Sequence, residues 1–147
     1  MAQPQKPLSD YPFQFEIHTR YDDLDTQKHV NNVAVANLHQ EARIKLHREV
    51  FREFREKHGK TVLFRTVLAN MEITYLRETH YPHPVVAGVG IERVGNSSYT
   101  IGVSMYQDDK CVGTSKAVLV FVKDGHGITM PEEIRETLHQ SLIKNSL

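Results

Sequence analysis

The sequence predicts an α+β domain in which one long helix packs on one face of a single antiparallel sheet. Three observations carry this. Apolar and polar residues alternate before residue 20 and again from residue 66 onward; apolar residues repeat every four positions in between; and short turns separate the later alternating runs.

Phe13, Phe15 and Ile17 alternate with Gln14, Glu16 and His18, which predicts a half-buried strand. Residues 19–30 hold three aspartates and no periodicity, so they form an irregular connection, where function often sits. Asn31 and Asn32 suit a helix cap. From Val33 onward Leu38, Ala42, Leu46, Val50 and Phe54 form an amphipathic stripe, and Gly59 supplies the stop. Arg43, Lys45, Arg48, Glu49, Arg52, Glu53 and Glu56 are expected on the solvated face.

Four strands are expected next. Val67, Ala69, Met71, Ile73 and Tyr75 mark the first, and Val85, Ala87, Val89 and Ile91 the second. The turn Gly95-Asn96-Ser97-Ser98 leads into Tyr99, Ile101, Val103 and Met105, and Asp108-Asp109-Lys110 leads into a last strand over residues 111–122. There Cys111, Gly113, Ser115 and Ala117 share a face whose small side chains let a helix approach closely. Pro131, Glu132 and Glu133 start a terminal helix expected to reach about Ile143.

Composition sets the function classes. The 147 residues make one domain, expected as a disordered lead-in over 1–10 and a single folded unit over 11–147. Lysine plus arginine equals aspartate plus glutamate at 18 each, which argues against nucleic acid as a partner. No apolar run approaches the roughly 20 residues of a membrane helix, and no membrane partner is expected. Met1 to Pro7 show neither a secretory nor a transit pattern, and the single cysteine, Cys111, has no intramolecular disulfide partner. The expected location is the cytoplasm, with Cys111 packed in a strand.

The segment Arg20-Tyr21-Asp22-Asp23-Leu24-Asp25-Thr26-Gln27-Lys28-His29-Val30-Asn31-Asn32 runs directly into the helix start. Backbone N–H groups of a first helical turn, with the positive end of the helix dipole, can hold a developing oxyanion. Asp25, seven residues before Asn32, can place a carboxylate beside that turn to deprotonate a water or attack a carbonyl. The same residues also suit a purely structural arrangement, with aspartates forming side-chain turns and Asn31 capping the helix.

Asp25-x-x-x-His29-Val30-Asn31-Asn32 followed by Glu41-Ala42-Arg43 resembles the signature of the hydroxybenzoyl-CoA thioesterase family and its acyl-CoA and acyl-carrier-protein relatives. The resemblance continues through the stretch from Arg77-Glu78 to Gly88, the Arg93 to Ser98 hairpin and the Met130 to Arg135 helix start. It implies a hotdog fold, an antiparallel sheet wrapped around a long central helix, and hydrolysis of an acyl-CoA thioester. By position it makes Asp25 the catalytic carboxylate, places the Asn32 amide as an oxyanion donor, and sets His29 in the same pocket. Asn31, beside its capping role, and Val33 fall next to the substrate. It also implies a homodimer or homotetramer with the cleft between subunits, coenzyme A as part of the substrate, and no separate cofactor. Many relatives have glycine before the histidine where this chain has Lys28, and aromatic residues where it has Val35 and Leu38.

Glu41 is a lesser catalytic candidate. Nine histidines, including His39, His47, His80 and His83, show no metal-ligand spacing, so no metal is expected. Two other functions are compatible with the sequence: hydrolysis of acyl-carrier-protein thioesters, and acyl binding or scaffolding without catalysis.

Overall fold

The computed structural model describes residues 6–59 and 65–144. Strand β1 (Phe13–Ile17) precedes helix α1 (Asn32–Val50) and a shorter helix α2 (Arg52–His58). Strands β2 (Arg65–Tyr75), β3 (Val85–Val94), β4 (Ser98–Gln107), β5 (Lys110–Lys123) and β6 (His126–Gly127) follow, and helix α3 (Glu132–Gln140) comes last. The sheet runs in the order β1-β3-β4-β5-β2, with β6 pairing β5, and every named strand pair is antiparallel. This is the expected hotdog arrangement.

Register explains the core. Ile91 pairs with Ile101, Ile101 with Ala117, and Ala117 with Met71, so one row of inward side chains crosses four strands. Leu38, Ala42, Leu46 and Val50 of α1 are buried in the same cluster, and Phe54 packs at its margin. Ser115 on the small-residue face of β5 meets His39 of α1 directly, its Oγ 2.7 Å from His39 Nδ1. Cys111 is buried, as its strand position predicts.

Four expectations are corrected. The helix is not continuous to Gly59: Phe51 adopts φ −98°, ψ 9°, and splits α1 from α2, while Gly59 at φ 70° ends α2. Arg43 is buried at 6% exposure, because at about 100° per residue it falls within the arc that also carries His39 and Leu46. The terminal helix stops at Gln140. Its continuation is drawn into the sheet, where Ile91 N–H donates to the Ser141 carbonyl and Ile143 N–H to the Ile91 carbonyl, both at 2.8 Å. Within the expected lead-in, Leu8–Asp10 form a 3-10 turn, and the Asp10 carbonyl accepts a bond from Lys144 N–H. Residues 1–5 of that lead-in lie outside the described residues.

The two sheet edges differ. On one side β1 covers β3 only from Val85 to Val89, and the segment around Leu142 occupies the edge beyond it. On the other side β2 is eleven residues long, mostly exposed, and interrupted by a register shift between Leu68 and Asn70.

Burial, reinforced by the Arg43 charge, holds both His39 and His47 at a pKa of about 4 against an ordinary 6.5. Both are neutral in the fold and bind protons in the unfolded chain once pH drops below about 6.5. Their contribution to stability is complete above that pH and is lost as pH falls through 4. The melting temperature is expected to decline over this window. His39→Asn, which keeps a polar atom near Ser115, should flatten the decline in calorimetry between pH 7 and 4; an unchanged slope would exclude His39 as a source.

Candidate active site

Residues 24–30 fold into a small hairpin that leads into α1. Leu24 bridges Val30, Asp25 N–H donates to the His29 carbonyl at 2.8 Å, and Lys28 N–H donates to the Asp25 carbonyl at 3.1 Å. Three residues, Thr26-Gln27-Lys28, make the turn, and Lys28 closes it in the left-handed region at φ 66°. Asp25 and His29 are therefore held opposite one another at the hairpin base.

A side chain at a left-handed position costs roughly 1–2 kcal/mol, partly offset by the lower backbone entropy of its unfolded state relative to glycine. Lys28→Gly is expected to gain about 0.5–1 kcal/mol, read as a higher melting temperature. A lower one would mean that the lysine side chain makes a stabilising contact. The departure from the family pattern at Lys28 thus falls on the one left-handed residue of the hairpin.

The Asp25 carboxylate is exposed, and its Oδ1 accepts from Gln27 N–H at 2.8 Å and His29 N–H at 3.2 Å. The structural role weighed in the sequence, an aspartate side chain tying its own turn, is present. Oδ2 has no hydrogen-bond partner among the described residues. His29 is half-buried. Its Nε2 lies 3.0 Å from Glu78 Oε2, and its ring meets His80 edge-on at 5.3 Å.

That Glu78 and His80 meet His29 is not legible in the sequence, because nothing in spacing links residue 29 to a segment 49 positions on. Backbone pairing makes the link: Val30 N–H donates to the Thr79 carbonyl at 2.9 Å. Gln107 then fixes that segment, accepting from His80 N–H at 2.9 Å and donating to the His80 and His83 carbonyls at 2.8 and 2.9 Å.

Asn31 is the helix cap. Its Oδ1 accepts from Ala34 N–H, and its Nδ2 donates to the Asp23 carbonyl, both at 2.8 Å. Both ends of the amide are thus engaged in the cap. Val35 N–H is taken by the Asn31 carbonyl at 3.0 Å. Among the described residues no acceptor meets the N–H of Asn32 or of Val33. No acidic side chain lies in this first turn to offset the helix dipole. Val33 is 67% exposed, and the Tyr75 hydroxyl donates to the Asn32 carbonyl at 3.1 Å, which sets the end of β2 beside the helix start. Glu41 is exposed on α1, nearly three turns beyond the cap.

The arrangement offers two open amides at a helix N-terminus, a carboxylate and an imidazole on the adjoining hairpin, and a second carboxylate on the imidazole. Such a set can polarise a carbonyl and move a proton. No group of three histidine, cysteine, aspartate or glutamate side chains among the described residues is arranged to hold a metal ion. No helix among them is long and apolar enough to cross a membrane.

Known structures share this fold. A protein of Pseudomonas aeruginosa superposes with TM-score 0.79 at 21% identity, covering 96% of this chain and 99% of its own. A predicted thioesterase from Bacillus stearothermophilus gives TM-score 0.77 at 26% identity, covering 88% and 96%. A Thermus thermophilus thioesterase, solved with coenzyme A and zinc, gives 0.76 at 27% identity, covering 89% and 94%. No match was found among curated protein sequences. The thioesterase-like superfamily matches over residues 19–138, a span that takes in the hairpin, all of α1 and every strand but β1. The chain belongs to that superfamily.

Proposed function

We propose that this protein hydrolyses acyl-coenzyme A thioesters. The observation that carries the reading is the pair of unpartnered N–H groups of Asn32 and Val33, beside a hairpin that holds Asp25 and His29 at its base. A thioester oxygen docked on those amides becomes negative as the carbonyl carbon is attacked, and fixed donors stabilise that charge most where water is excluded. Asp25 acts through Oδ2 as general base toward a water or as nucleophile, its Oδ1 being occupied by the turn. His29, steadied by Glu78, lines the same pocket.

Coenzyme A as the carrier is supported by the Thermus thermophilus relative, which was solved with it. No separate cofactor or metal is required. Asp25 and Val33 are exposed in a single chain, so the water-poor surroundings this chemistry needs come from a second subunit: the reading includes a homodimer, alone or paired into a tetramer, with the cleft between subunits. The cytoplasm is the proposed location.

The exposure of Asp25 and the commitment of its Oδ1 favour one competing reading, an acyl-binding or scaffolding protein without turnover. Acyl-carrier-protein thioesters are the other substrate class. A hydrolysis screen over short, long and aromatic acyl-CoAs and the matching acyl-carrier-protein thioesters, with free thiol as the readout, tests all three. Rates equal to buffer across the panel would support the binding protein. Activity confined to acyl-carrier-protein esters would change the carrier.

A further inference from the structure

Three basic residues of α1 are turned into the protein, and no carboxylate faces them among the described residues. His39 and Arg43 are 0% and 6% exposed, and His47 Nε2 lies 2.8 Å from the Tyr99 hydroxyl. His39 Nδ1 is bonded to Ser115, yet His39 Nε2 is buried without a partner, and so is Arg43 Nη1. The charged group acting on both imidazoles is Arg43 itself, joined at His47 by Arg55, and Arg43 enters no salt bridge with a described residue. A guanidinium does not give up its proton, and a buried charge without a counter-ion is among the most costly arrangements a core can hold. Only Nη1 of the guanidinium is among the sealed atoms, so its other nitrogens are open to a partner from outside this chain.

The position of Arg43 says which partner. At about 100° per residue, Asn32, Ala36, His39, Arg43 and His47 fall within one arc of about 80°. That arc begins at the open amide of Asn32. It faces the β5–β2 side of the sheet: Ser115 of β5 bonds His39, a Cβ on Gly113 would lie 3.7 Å from His39 Nε2 and 3.0 Å from the Thr74 carbonyl, and Tyr75 of β2 bonds Asn32. With about 1.5 Å of rise per residue and side chains leaning toward the helix start, the guanidinium lies on the order of 10–14 Å from that amide.

We propose that Arg43 and His39 Nε2 form a specificity site for the far end of the acyl group, and that the preferred substrate ends there in a carboxylate. The inference rests on the thioesterase reading, since it takes the Asn32 amide as the place where the thioester begins. A tail of about eight carbons fits the interval. The charge balance favours a carboxylate over a phosphate. Burial and the neighbouring Arg43 hold His39 at a pKa of about 4, so it is neutral at pH 7 and can add an N–H but no charge. One guanidinium then matches one negative charge, and its planar fork suits two carboxylate oxygens.

The test compares two eight-carbon acyl-CoAs, one ending in a methyl group and one in a carboxylate, on the wild-type protein and on Arg43→Met. Wild type is expected to favour the carboxylate ester by about ten- to a hundredfold in kcat/KM. Arg43→Met should lose that preference and retain the methyl ester. Because it replaces an unpaired buried charge with an apolar side chain, it should melt no lower than wild type. A second measurement needs no turnover: the free eight-carbon dicarboxylate should raise the melting temperature of wild type more than octanoate does. Equal rates on the two esters in wild type, together with no extra stabilisation by the dicarboxylate, would overturn the site and leave Arg43 completed by water or by a second subunit. If neither ester is hydrolysed, nor any other thioester of the panel above, the thioesterase reading fails, and the dicarboxylate shift still decides the site. Should Arg43→Met not fold, the two wild-type measurements decide alone.

Discussion

Asp25→Asn is expected to lower kcat by about 10²- to 10⁴-fold, the range over which a positioned acid or base contributes, with little change in melting temperature. The asymmetry follows from the two oxygens. An asparagine Oδ1 still accepts from Gln27 and His29 N–H and keeps the hairpin closed, while an Nδ2 in place of Oδ2 can neither take a proton nor attack a carbonyl. Substrate binding should survive, since the Asn32 and Val33 amides are untouched. Asp25→Ala, which removes the turn bonds as well, should lose activity and in addition about 1 kcal/mol of stability. Parallel kinetics and melting curves separate the two roles. A variant Asp25→Asn with wild-type kcat would leave Asp25 only its turn.

Gly90→Ala is expected to cost about 1–3 kcal/mol. A Cβ there would stand 2.6 Å from both Ile143 Cγ1 and Pro12 Cδ. These atoms belong to the two segments that lie across the outer face of β3, and each is anchored: Ile143 N–H bonds the Ile91 carbonyl at 2.8 Å, and Pro12 adjoins the Tyr11 ring that fills the space over Gly88. Relief requires one segment to lift away. A drop of several degrees in melting temperature is the expected result, with faster hydrogen exchange at the Ile91 and Ile143 amides. Unchanged exchange at those amides would mean that the sheet absorbs the strain elsewhere.

Periodicity made most of the fold legible. The strands whose inward residues alternate are all present, and the four-residue stripe from Leu38 to Val50 is the buried face of α1. What it misjudged were places where tertiary contacts override the local pattern. Arg43 reads as surface because arginine is costly to bury, yet its helical angle places it inside. The stretch 141–143 reads as helix because nothing local stops it, yet the unpaired stretch of β3 beyond Val89 draws it out as a strand-like cover. The break at Phe51 leaves no signal in a sequence that lacks glycine and proline there.

The candidate site divides along the same line. Asp25, His29, Asn31 and Asn32 are close in sequence, and a hairpin plus a helix cap is local structure that residue types disclose. Glu78, His80 and Gln107 join them only through long-range hydrogen bonds, from Val30 N–H to the Thr79 carbonyl and from the Gln107 side chain to the His80 backbone, across some 50 to 80 positions. The orphaned atoms of His39 and Arg43 are further still from anything a pattern shows, since they are defined by what their surroundings omit.

The contrast between the sheet's two borders limits how copies of this chain can associate through their backbones. The five-residue β1, together with the tail pinned against Ile91, leaves little room for an added strand, whereas the long flank of Arg65–Tyr75 leaves ample room. Two chains meeting flank to flank would each spend their one long receptive border on the other. Growth by that route is self-terminating at a pair, because neither chain then keeps a long open flank among its described strands.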